Sequence, residues 1–293
     1  MSRETSRLPK LLYHYTSIEA FKSIIDSRKM RASRYDQMND DGELKFGVKQ
    51  LLHSLERRSV CDEDGEYAEF LTEGIRSFES QTLDVYVLSL SAAGDNLEQW
   101  RAYCPCGGVA IGFDSKWVQK GFLVDVTRSA GGGQIENPVR PNPANQLLKC
   151  KYSRKDGTFA SPERLTDHFF VKDSYAETFR RMHKYPGMQH IFMASLSASI
   201  YRSISQIKHG AYKAEKEWRS VNSNRDPNDY PEKLNEKNRF YIEYSFDPAD
   251  YINNVCIAPH GDTQGALNAV EFLRATHGLG YSITRSSIPF RTR

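Results

Sequence analysis

Segments with β-strand character recur along the whole chain, and segments with helical spacing separate them. The clearest strand is 84–91, in which Tyr86, Leu88 and Leu90 occupy alternate positions and are predicted to face the core. Other strands are predicted at 11–16, 107–113, 147–152, 212–221, 240–246, 254–258 and 281–288. Because helices interrupt the strands irregularly and no internal repeat is present, the order predicts one α+β domain over residues 1–293 with a mostly antiparallel sheet.

Helical segments flank this sheet, and one pair of helices is inserted between its strands. The first helix follows strand 11–16, where Thr16-Ser17-Ile18-Glu19 matches a capping box. Further helices are predicted at 43–58, 66–80, 96–103, 163–184, 188–207 and 265–276. The pair at about 163–207 is predicted to form a helical insertion, and its second helix is apolar enough, with Ile191, Phe192 and Leu196, to pack centrally. Residues 129–146 are rich in Gly, Pro and Asn and predict a flexible loop.

Composition excludes several classes of protein. No apolar run approaches the ~20 residues of a membrane span, and the first ten residues lack a signal-peptide core, so a cytoplasmic protein with no membrane partner is expected. The 40 basic residues against 37 acidic ones permit a nucleotide or nucleic-acid partner without arguing for one. Five cysteines are expected to be reduced, and Cys104-Pro105-Cys106 is too tightly spaced for ordinary zinc pairing, so no metal is predicted.

The candidate catalytic and binding residues lie on three predicted strands. Glu215 and Glu217 are two positions apart on strand 212–221 and therefore point to one face. His14 lies near the end of the first strand, and Ser89 and Ser91 lie on the middle one. An early His, a middle Ser-x-Ser and a late Glu-x-Glu are typical of an enzyme that splits the nicotinamide–ribose bond. The competing interpretation is an exposed strand face on which either glutamate pairs with Arg219.

Such a reaction passes through an oxocarbenium-like cation, which a fixed carboxylate stabilises. We expect Glu217 to face solvent in a cleft and to take this role, with Glu215 orienting or deprotonating the nucleophile. His14 is expected to hold a ribose hydroxyl. The mechanism needs positioning and electrostatics but no metal or covalent intermediate.

A second group of candidates lies on the predicted helix 96–103. Trp100 and Arg101 suit the recognition of a ring or a phosphate. The alternative is that Trp100 and Tyr103, at positions i and i+3, pack into the core.

Taken in order, the motifs of this chain resemble the bacterial family named domain of unknown function 2971. The matching segments are Leu12-Tyr13-His14-Tyr15-Thr16-Ser17, Met38-Asn39-Asp40 with Glu43, Leu88-Ser89-Leu90-Ser91, Asn96 with Trp100 and Tyr103, Gly108-Val109-Ala110-Ile111-Gly112-Phe113, Lys149-Cys150-Lys151-Tyr152, Glu215-Lys216-Glu217-Trp218-Arg219, and Ser286-Ser287-Ile288-Pro289-Phe290-Arg291. The family name implies no activity.

The order of His, Ser-x-Ser and Glu-x-Glu is also similar to that of ADP-ribosyltransferases. This weaker resemblance implies a split, mostly antiparallel sheet that binds NAD in a cleft, with Glu217 as the catalytic carboxylate. Many enzymes with Glu-x-Glu carry arginine on the first strand, whereas this chain has His14. The resemblance gives His14 the first-strand role and Ser89 and Ser91 the middle one. Together with the candidates from residue chemistry, the residues expected to bind NAD are Tyr13, His14, Tyr15, Thr16, Ser89, Ser91, Trp100, Arg101 and Arg219.

Three functions remain open from the sequence. The first is an NAD-consuming ADP-ribosyltransferase, a bacterial toxin or anti-phage defence effector that modifies a protein or nucleic acid and is controlled by a cognate regulator or antitoxin. The second is a non-catalytic module that binds a nucleotide or nucleic acid. The third is an RNA-cleaving toxin that uses His14 with Glu217, for which His260 is the candidate second histidine.

Overall fold

The positions of the strands and helices follow the alternation seen in the sequence. A computed structural model describes residues 8–38, 41–58, 65–78, 84–119, 123–124, 140–141, 145–170, 175–182, 189–222 and 232–289. The strands are β1 (Leu11–Thr16), β2 (Lys29–Arg34), β3 (Tyr86–Ser91), β4 (Val109–Asp114), β5 (Leu123–Val124), β6 (Arg140–Pro141), β7 (Asn145–Lys149), β8 (Lys151–Tyr152), β9 (Ile207–Lys208), β10 (Glu217–Asn222), β11 (Lys233–Leu234), β12 (Phe240–Ser245), β13 (Ile252–Ile257) and β14 (Ser282–Arg285).

The α-helices are α1 (Ile18–Ser27), α2 (Asp41–Glu56), α3 (Gly65–Ser77), α4 (Leu97–Tyr103), α5 (Ser115–Gln119), α6 (Asp167–Phe170), α7 (Tyr175–Met182), α8 (Gln189–Gln206), α9 (Pro248–Tyr251) and α10 (Thr263–Thr276). Short 3-10 helices span Tyr35–Gln37, Pro162–Leu165 and Gly210–Glu215. Within the described residues, no helix is both long and apolar enough to cross a membrane.

Most strands join one large sheet in the order β14-β13-β4-β1-β3-β2-β12-β5-β6. Neighbours in it pair antiparallel, except that β13 and β14 are parallel. The predicted α+β class with a mostly antiparallel sheet is confirmed.

The sheet branches at β3, and this branch creates the site described below. One edge of β3 pairs with β10 along its full length, from Tyr86 to Ser91. The other edge is shared, because β1 pairs there at Ser91 and β2 pairs there at Tyr86 and Val87. Since a strand has two hydrogen-bonding edges, β1 and β2 diverge from opposite ends of the same edge. The middle of β3, at residues 88–90, faces the gap between them.

Two hydrophobic cores pack against the branched region. The first lies around β1, β3, β4, β12, β13, α1 and α10, and it includes the predicted core residues Tyr86, Leu88 and Leu90. The second lies among α2, α3, α6 and α8 and includes Val87 on the opposite face of β3. Both faces of β3 are therefore covered, which fixes the position of the gap beside it.

Several predicted elements are confirmed, and others need correction. The helix at 163–184 is broken: Pro162–Leu165 and α6 are separate turns around Thr166, whose hydroxyl group lies 2.8 Å from that of Ser54 on α2. The helix cap after β1 is Ser17, one residue later than Thr16. Helix α8 packs centrally as predicted, but Ile191 on it is exposed.

The other two corrections concern the site. Strand 212–221 is shorter than predicted, because Gly210–Glu215 forms a 3-10 turn and Lys216 adopts a left-handed conformation with φ of 49° before β10 begins at Glu217. Strand β2 was not predicted at all. The proposed loop at 129–146 lies mostly outside the described residues.

Candidate functional site

A cavity of about 160 Å³ occupies the gap between β1 and β2. Its walls come from residues 13–15 of β1, from residues 87–90 of β3, and from Arg31 and Ser33 of β2. The glutamates Glu215 and Glu217 line the same cavity. The structure thus brings together the early histidine, the middle strand and the late carboxylates that the sequence placed far apart.

His14 connects the two sides of the gap. It is partly buried in the cavity wall, and its side chain is hydrogen-bonded to the main chain of Ser89. Burial lowers the pKa of His14, and the hydrogen bond to Ser89 opposes this shift. A neutral imidazole that donates one N–H to a carbonyl group keeps its other nitrogen as an acceptor. His14 is therefore suited to accept a hydrogen bond from a ligand hydroxyl.

Glu217 is the most strongly held carboxylate of the site. Its Oε1 accepts from Arg219 Nε at 2.8 Å, and its Oε2 accepts from Lys208 Nζ at 2.5 Å and from Arg219 Nη2 at 3.1 Å. The expectation that Glu217 faces solvent is wrong, because the residue is only 5% exposed. The Glu217–Arg219 ion pair of the competing interpretation is present, in a buried setting.

Glu215 reaches the same site from the 3-10 turn that precedes β10. Its Oε2 accepts from Lys208 Nζ at 2.5 Å, so one ammonium group contacts both glutamates. The turn is held from two sides, because the Ser91 hydroxyl donates to the Glu215 carbonyl at 2.7 Å and the Asn96 amide donates to the Ala214 carbonyl at 2.7 Å. Ser91 therefore braces the main chain of the glutamate segment.

A fifth charged residue completes a buried cluster, which we call the charge cluster: Glu43, Lys208, Glu215, Glu217 and Arg219. Glu43 on α2 pairs with Arg219 and lies 3.9 Å from Lys208 Nζ. With all groups ionised, three carboxylates face two cations and the cluster carries one net negative charge. A cation in the adjacent cavity is favoured by this excess.

The pKa values of the two cavity glutamates are shifted in opposite directions. Burial would raise the pKa of Glu217, but the attraction of Arg219 and Lys208 outweighs it and lowers this pKa to about 2. Burial raises the pKa of Glu215 despite the attraction of Lys208. Two carboxylates whose environments push their pKa values apart are suited to different roles. Glu217 stays ionised, whereas Glu215 is the better proton acceptor.

The opposite part of the cavity wall is basic. Arg31 and Arg239 line it, and the Arg31 guanidinium lies 4.6 Å from the centre of the Tyr241 ring. The hydroxyl of Ser89 is buried and has no hydrogen-bond partner among the residues that the structure describes. One cavity therefore combines an anionic wall, a cationic wall and an unused hydroxyl group.

Tyr13 and Tyr15 line the cavity, but their rings are held by the protein. The Tyr15 ring packs edge-on against Trp100 with centres 4.6 Å apart, and its hydroxyl donates to the Ala93 carbonyl at 2.6 Å. The Tyr13 ring lies against Gly94 and Gly112, and a Cβ atom at Gly112 would stand 2.8 Å from a ring carbon. Both tyrosines shape the wall at fixed positions.

The remaining predicted binding residues do not line this cavity. Trp100 is fully buried, and its indole N–H donates to Asp95 at 2.8 Å, as the core-packing alternative predicted. Tyr103 was assigned to the core by that alternative, but it is 42% exposed and lines the cavity. Thr16 is buried, and Arg101 is exposed on α4. Arg219 is buried in the charge cluster and acts on the cavity through Glu217.

The sequence did not reveal Lys208 or Arg31 as site residues. Lys208 lies seven residues before Glu215, outside the predicted Glu-x-Glu strand, and Arg31 lies on the strand that was missed. Glu43 was noticed within the motif series and at the start of the predicted helix 43–58, but not as a site residue. Its position on α2, facing Arg219, depends on packing between distant segments.

The four cysteines that the structure describes do not gather at this site. Cys104, Cys150 and Cys256 are buried, Cys106 is exposed, and burial raises the pKa of the Cys256 thiol to about 11. Within the described residues, no group of three His, Cys, Asp or Glu side chains has the geometry to hold a metal ion.

The fold and the cavity define an α+β protein with a charged cleft at the branch of a mostly antiparallel sheet. Residues 99–220 match a family model described as "Protein of unknown function (DUF2971)", which confirms the predicted resemblance over that part of the chain. The matched part contains Glu215 and Glu217 but not His14 or Ser89. No curated protein and no solved structure matches the chain.

Proposed function

We propose that the cleft binds NAD as a substrate and that the protein is an ADP-ribosyltransferase-like enzyme. One observation carries the proposal: a single cavity is bordered by His14 and two glutamates of different pKa on one side and by Arg31 and Arg239 on the other. NAD has the complementary pattern, a cationic nicotinamide ring joined through ribose to an anionic pyrophosphate. The split-sheet type implied by the transferase resemblance belongs to this proposal.

The anionic wall supplies the electrostatics of bond cleavage. When the bond between ribose C1′ and the nicotinamide nitrogen breaks, its electron pair leaves with nicotinamide and the ribose becomes an oxocarbenium-like cation. Glu217 remains ionised under these conditions and stabilises that cation, because its pKa is about 2 and its position is fixed by Arg219 and Lys208. His14 and the Ser89 hydroxyl hold hydroxyl groups of the ribose.

Glu215 has the properties of the base in the second half of the reaction. The nucleophile of the acceptor bonds to C1′ and loses a proton, and the Glu215 carboxylate takes that proton. Its pKa is raised by burial, which makes it more basic than an ordinary glutamate. The 3-10 turn places it at the cavity wall, while the ion pair with Lys208 orients its carboxylate.

The biological setting that fits this chemistry is a bacterial toxin or anti-phage effector. Its acceptor is a protein or a nucleic acid, and a cognate regulator or antitoxin restrains it. The buried ion pairs of Glu217 are compatible with a resting state that a partner activates.

The test is nicotinamide release from NAD in cell lysate by wild type, Glu215→Gln and Glu217→Gln. Nicotinamide release by each variant is expected to be at least about 100-fold slower than release by wild type, since each variant loses a proton acceptor or a charge stabiliser. Glu271→Gln, on the exposed face of α10, is the matched control and keeps full activity. Thermal unfolding of each variant separates loss of chemistry from loss of fold.

Two results contradict the proposal. If the Glu215→Gln and Glu217→Gln variants fold and keep their activity, these carboxylates do not have the proposed catalytic roles. If wild type leaves NAD intact in lysates from several bacteria, both infected and uninfected, the protein does not catalyse the proposed reaction.

The runner-up is a non-catalytic nucleotide-binding module, and one observation favours it. Both carboxylate oxygens of Glu217 are already satisfied by Arg219 and Lys208, as in a purely structural ion pair. If Glu217→Gln still binds the nucleotide and wild type shows no turnover, the protein is a non-catalytic binding module. The RNA-cleaving alternative loses its second histidine, because His260 is buried, its ring bonds to the Cys104 carbonyl, and it does not line the cavity.

A further inference from the structure

A second, larger cavity of about 1050 Å³ lies between α2 and the segment 154–162. Four basic side chains line it: Lys45 and Lys49 from α2, Arg57 directly after the end of α2, and Arg154 from the facing segment. All four residues are exposed. Because the whole chain is nearly balanced in charge, this concentration of cations is a local feature of one surface. We call it the basic groove.

In the described part of the chain, the three cations on α2 or directly after it form no ion pairs that would stabilise the fold. Among the residues that the structure describes, Lys45, Lys49 and Arg57 have no carboxylate within ion-pair distance. Two acidic residues also line the groove, against its four cations. Each already has a partner: Glu56 lies 3.6 Å from His53, and Asp156 accepts hydrogen bonds from the main chain and the hydroxyl of Thr158. The groove therefore presents a net positive charge to solvent.

The spacing of the cations fits an extended polyanion. Lys45 and Lys49 are one helical turn apart, and Arg57, directly after the end of α2, lies about 18 Å further along the helix axis than Lys45, at 1.5 Å per residue. One strand of a nucleic acid carries a phosphate about every 3.4 Å along a duplex axis, so this length spans several phosphates.

Two aromatic rings line the same groove as these cations. Phe46 and Phe159 both line the groove and are partly buried, and the Phe46 ring packs edge-on against His209 with centres 5.5 Å apart. Rings interleaved with cations are the arrangement that binds single strands, because unpaired bases stack on aromatic faces while phosphates meet the charges. A duplex keeps its base faces covered and gains nothing from these rings.

From this arrangement we propose that the basic groove is a binding site for single-stranded nucleic acid. Phosphates contact Lys45, Lys49 and Arg57, and bases contact Phe46 and Phe159. The groove adjoins the charge cluster, because α2 continues from Glu43 into Lys45 and because His209 directly follows Lys208. The inference does not depend on turnover of NAD.

The test measures binding of a labelled oligothymidylate and a labelled oligouridylate, each about 15 nucleotides long, by fluorescence anisotropy without NAD. The test variant is the triple substitution Lys45→Ala, Lys49→Ala, Arg57→Ala. Its matched control is Lys22→Ala, Lys116→Ala, Lys237→Ala, which removes three exposed cations elsewhere. Because NAD is absent, failure here leaves the proposed transferase reaction untouched, and failure of that reaction leaves this result untouched.

The test variant is expected to bind at least about tenfold more weakly than wild type, and the control is expected to bind like wild type. The slope of log affinity against log salt should fall by about two in the test variant, since each lost phosphate contact on a single strand contributes about 0.7. Phe46→Leu, which keeps an apolar side chain, should weaken binding about fivefold with an unchanged salt slope.

Three outcomes overturn the proposal: no binding by wild type, equal losses in the test and control variants, or displacement of the oligonucleotide by polyglutamate or duplex DNA at equal charge concentration. Displacement by polyglutamate would assign the groove to an acidic protein segment.

Discussion

At the scale of single residues, Glu215 and Glu217 contact the same ammonium group yet differ in pKa. Glu217 has two cationic partners, and their attraction exceeds the effect of burial. Glu215 forms a direct ion pair with Lys208, Arg219 attracts it only from further away, and burial prevails. The difference arises from Arg219, which bonds to Glu217 through two nitrogens but forms no direct ion pair with Glu215 in the part of the chain that the structure describes. One arginine therefore separates the pKa values of the two carboxylates.

This difference predicts an acid-dependent loss of stability that belongs to Glu217. Its pKa is about 2 in the folded protein against an ordinary 4.5, so its contribution is complete above about pH 4.5 and is lost as the pH falls toward 2. The contribution amounts to about 3 kcal/mol. The free energy of unfolding, measured by urea denaturation from pH 6 to pH 2, should therefore converge between wild type and Glu217→Gln as the pH falls.

Glu215→Gln provides the internal comparison for that experiment. Because the pKa of Glu215 is raised in the folded protein, its ionised form costs stability, and this cost is relieved as the pH falls through the folded pKa. The variant should therefore keep the acid-dependent loss of wild type. A pH profile for Glu217→Gln that parallels wild type would show that Glu217 is not held as the structure describes.

The charge cluster also predicts unequal effects of neutral substitutions at pH 7. Glu217→Gln leaves two buried cations without their main partner and should lower the free energy of unfolding by about 3 kcal/mol. Glu215→Gln removes one contact but also relieves the cost of an ionised carboxylate that burial disfavours, so it should change the free energy of unfolding by less than about 1.5 kcal/mol in either direction. Equal losses in urea denaturation would contradict this ranking, and Glu271→Gln sets the baseline.

The sequence predicted part of this site for a physical reason. His14, Ser89 and Glu217 could be identified because each lies on a predicted strand, and strand periodicity is a local property. Lys208 and Glu43 could not be found in the same way, since their roles come from the approach of segments that are far apart in the chain. The burial of Glu217 also depends on that approach.

At the scale of elements, the 3-10 turn Gly210–Glu215 determines where Glu215 points. The sequence predicted a strand through this region, because a strand places residues i and i+2 on one face. The turn instead ends at Lys216 in the left-handed region, a conformation with no strong signal in a lysine. The convergence of Glu215 and Glu217 was predicted correctly, although the conformation that produces it was not.

Asn96 is predicted to couple this turn to α4. Its carboxamide oxygen accepts from the main chain of Glu98 and Gln99 at the start of the helix, while its amide nitrogen holds the Ala214 carbonyl. Asn96→Ala should lower the free energy of unfolding by about 1–2 kcal/mol and speed hydrogen exchange at residues 210–216. Asn96→Asp keeps the cap but loses the donor to Ala214, so it should retain most stability while exchange in the turn still rises.

Hydrogen exchange followed by mass spectrometry checks this pair of variants. Exchange in the turn that stays at the wild-type rate in both variants would show that Asn96 acts only as a helix cap. Asn268→Ala on α10, where the side chain accepts from Gln264, is a suitable control because it lies far from the turn in the chain.

At the scale of the whole molecule, the two hydrophobic cores share strands. In β3, Leu88 and Leu90 belong to the first core and Val87 to the second. In β10, Trp218 belongs to the first and Val221 to the second. The helices at 163–207 were predicted as an insertion, and they pack onto the second core beside α2 and α3. A sheet whose strands serve both cores should tie the unfolding of one core to that of the other.

This arrangement predicts a single unfolding unit, which Leu196→Ala tests. Leu196 on α8 is buried in the second core, and its truncation should cost about 2–5 kcal/mol. If the cores unfold together, the same loss should appear in the hydrogen-exchange protection of β4, which lies in the first core. The matched variant Val270→Ala on α10 should lower the protection of α2 in the same way. In Leu196→Ala, β4 could instead keep the protection it has in wild type while α2 and α8 exchange faster. That result would show that the helices form a separate cooperative unit.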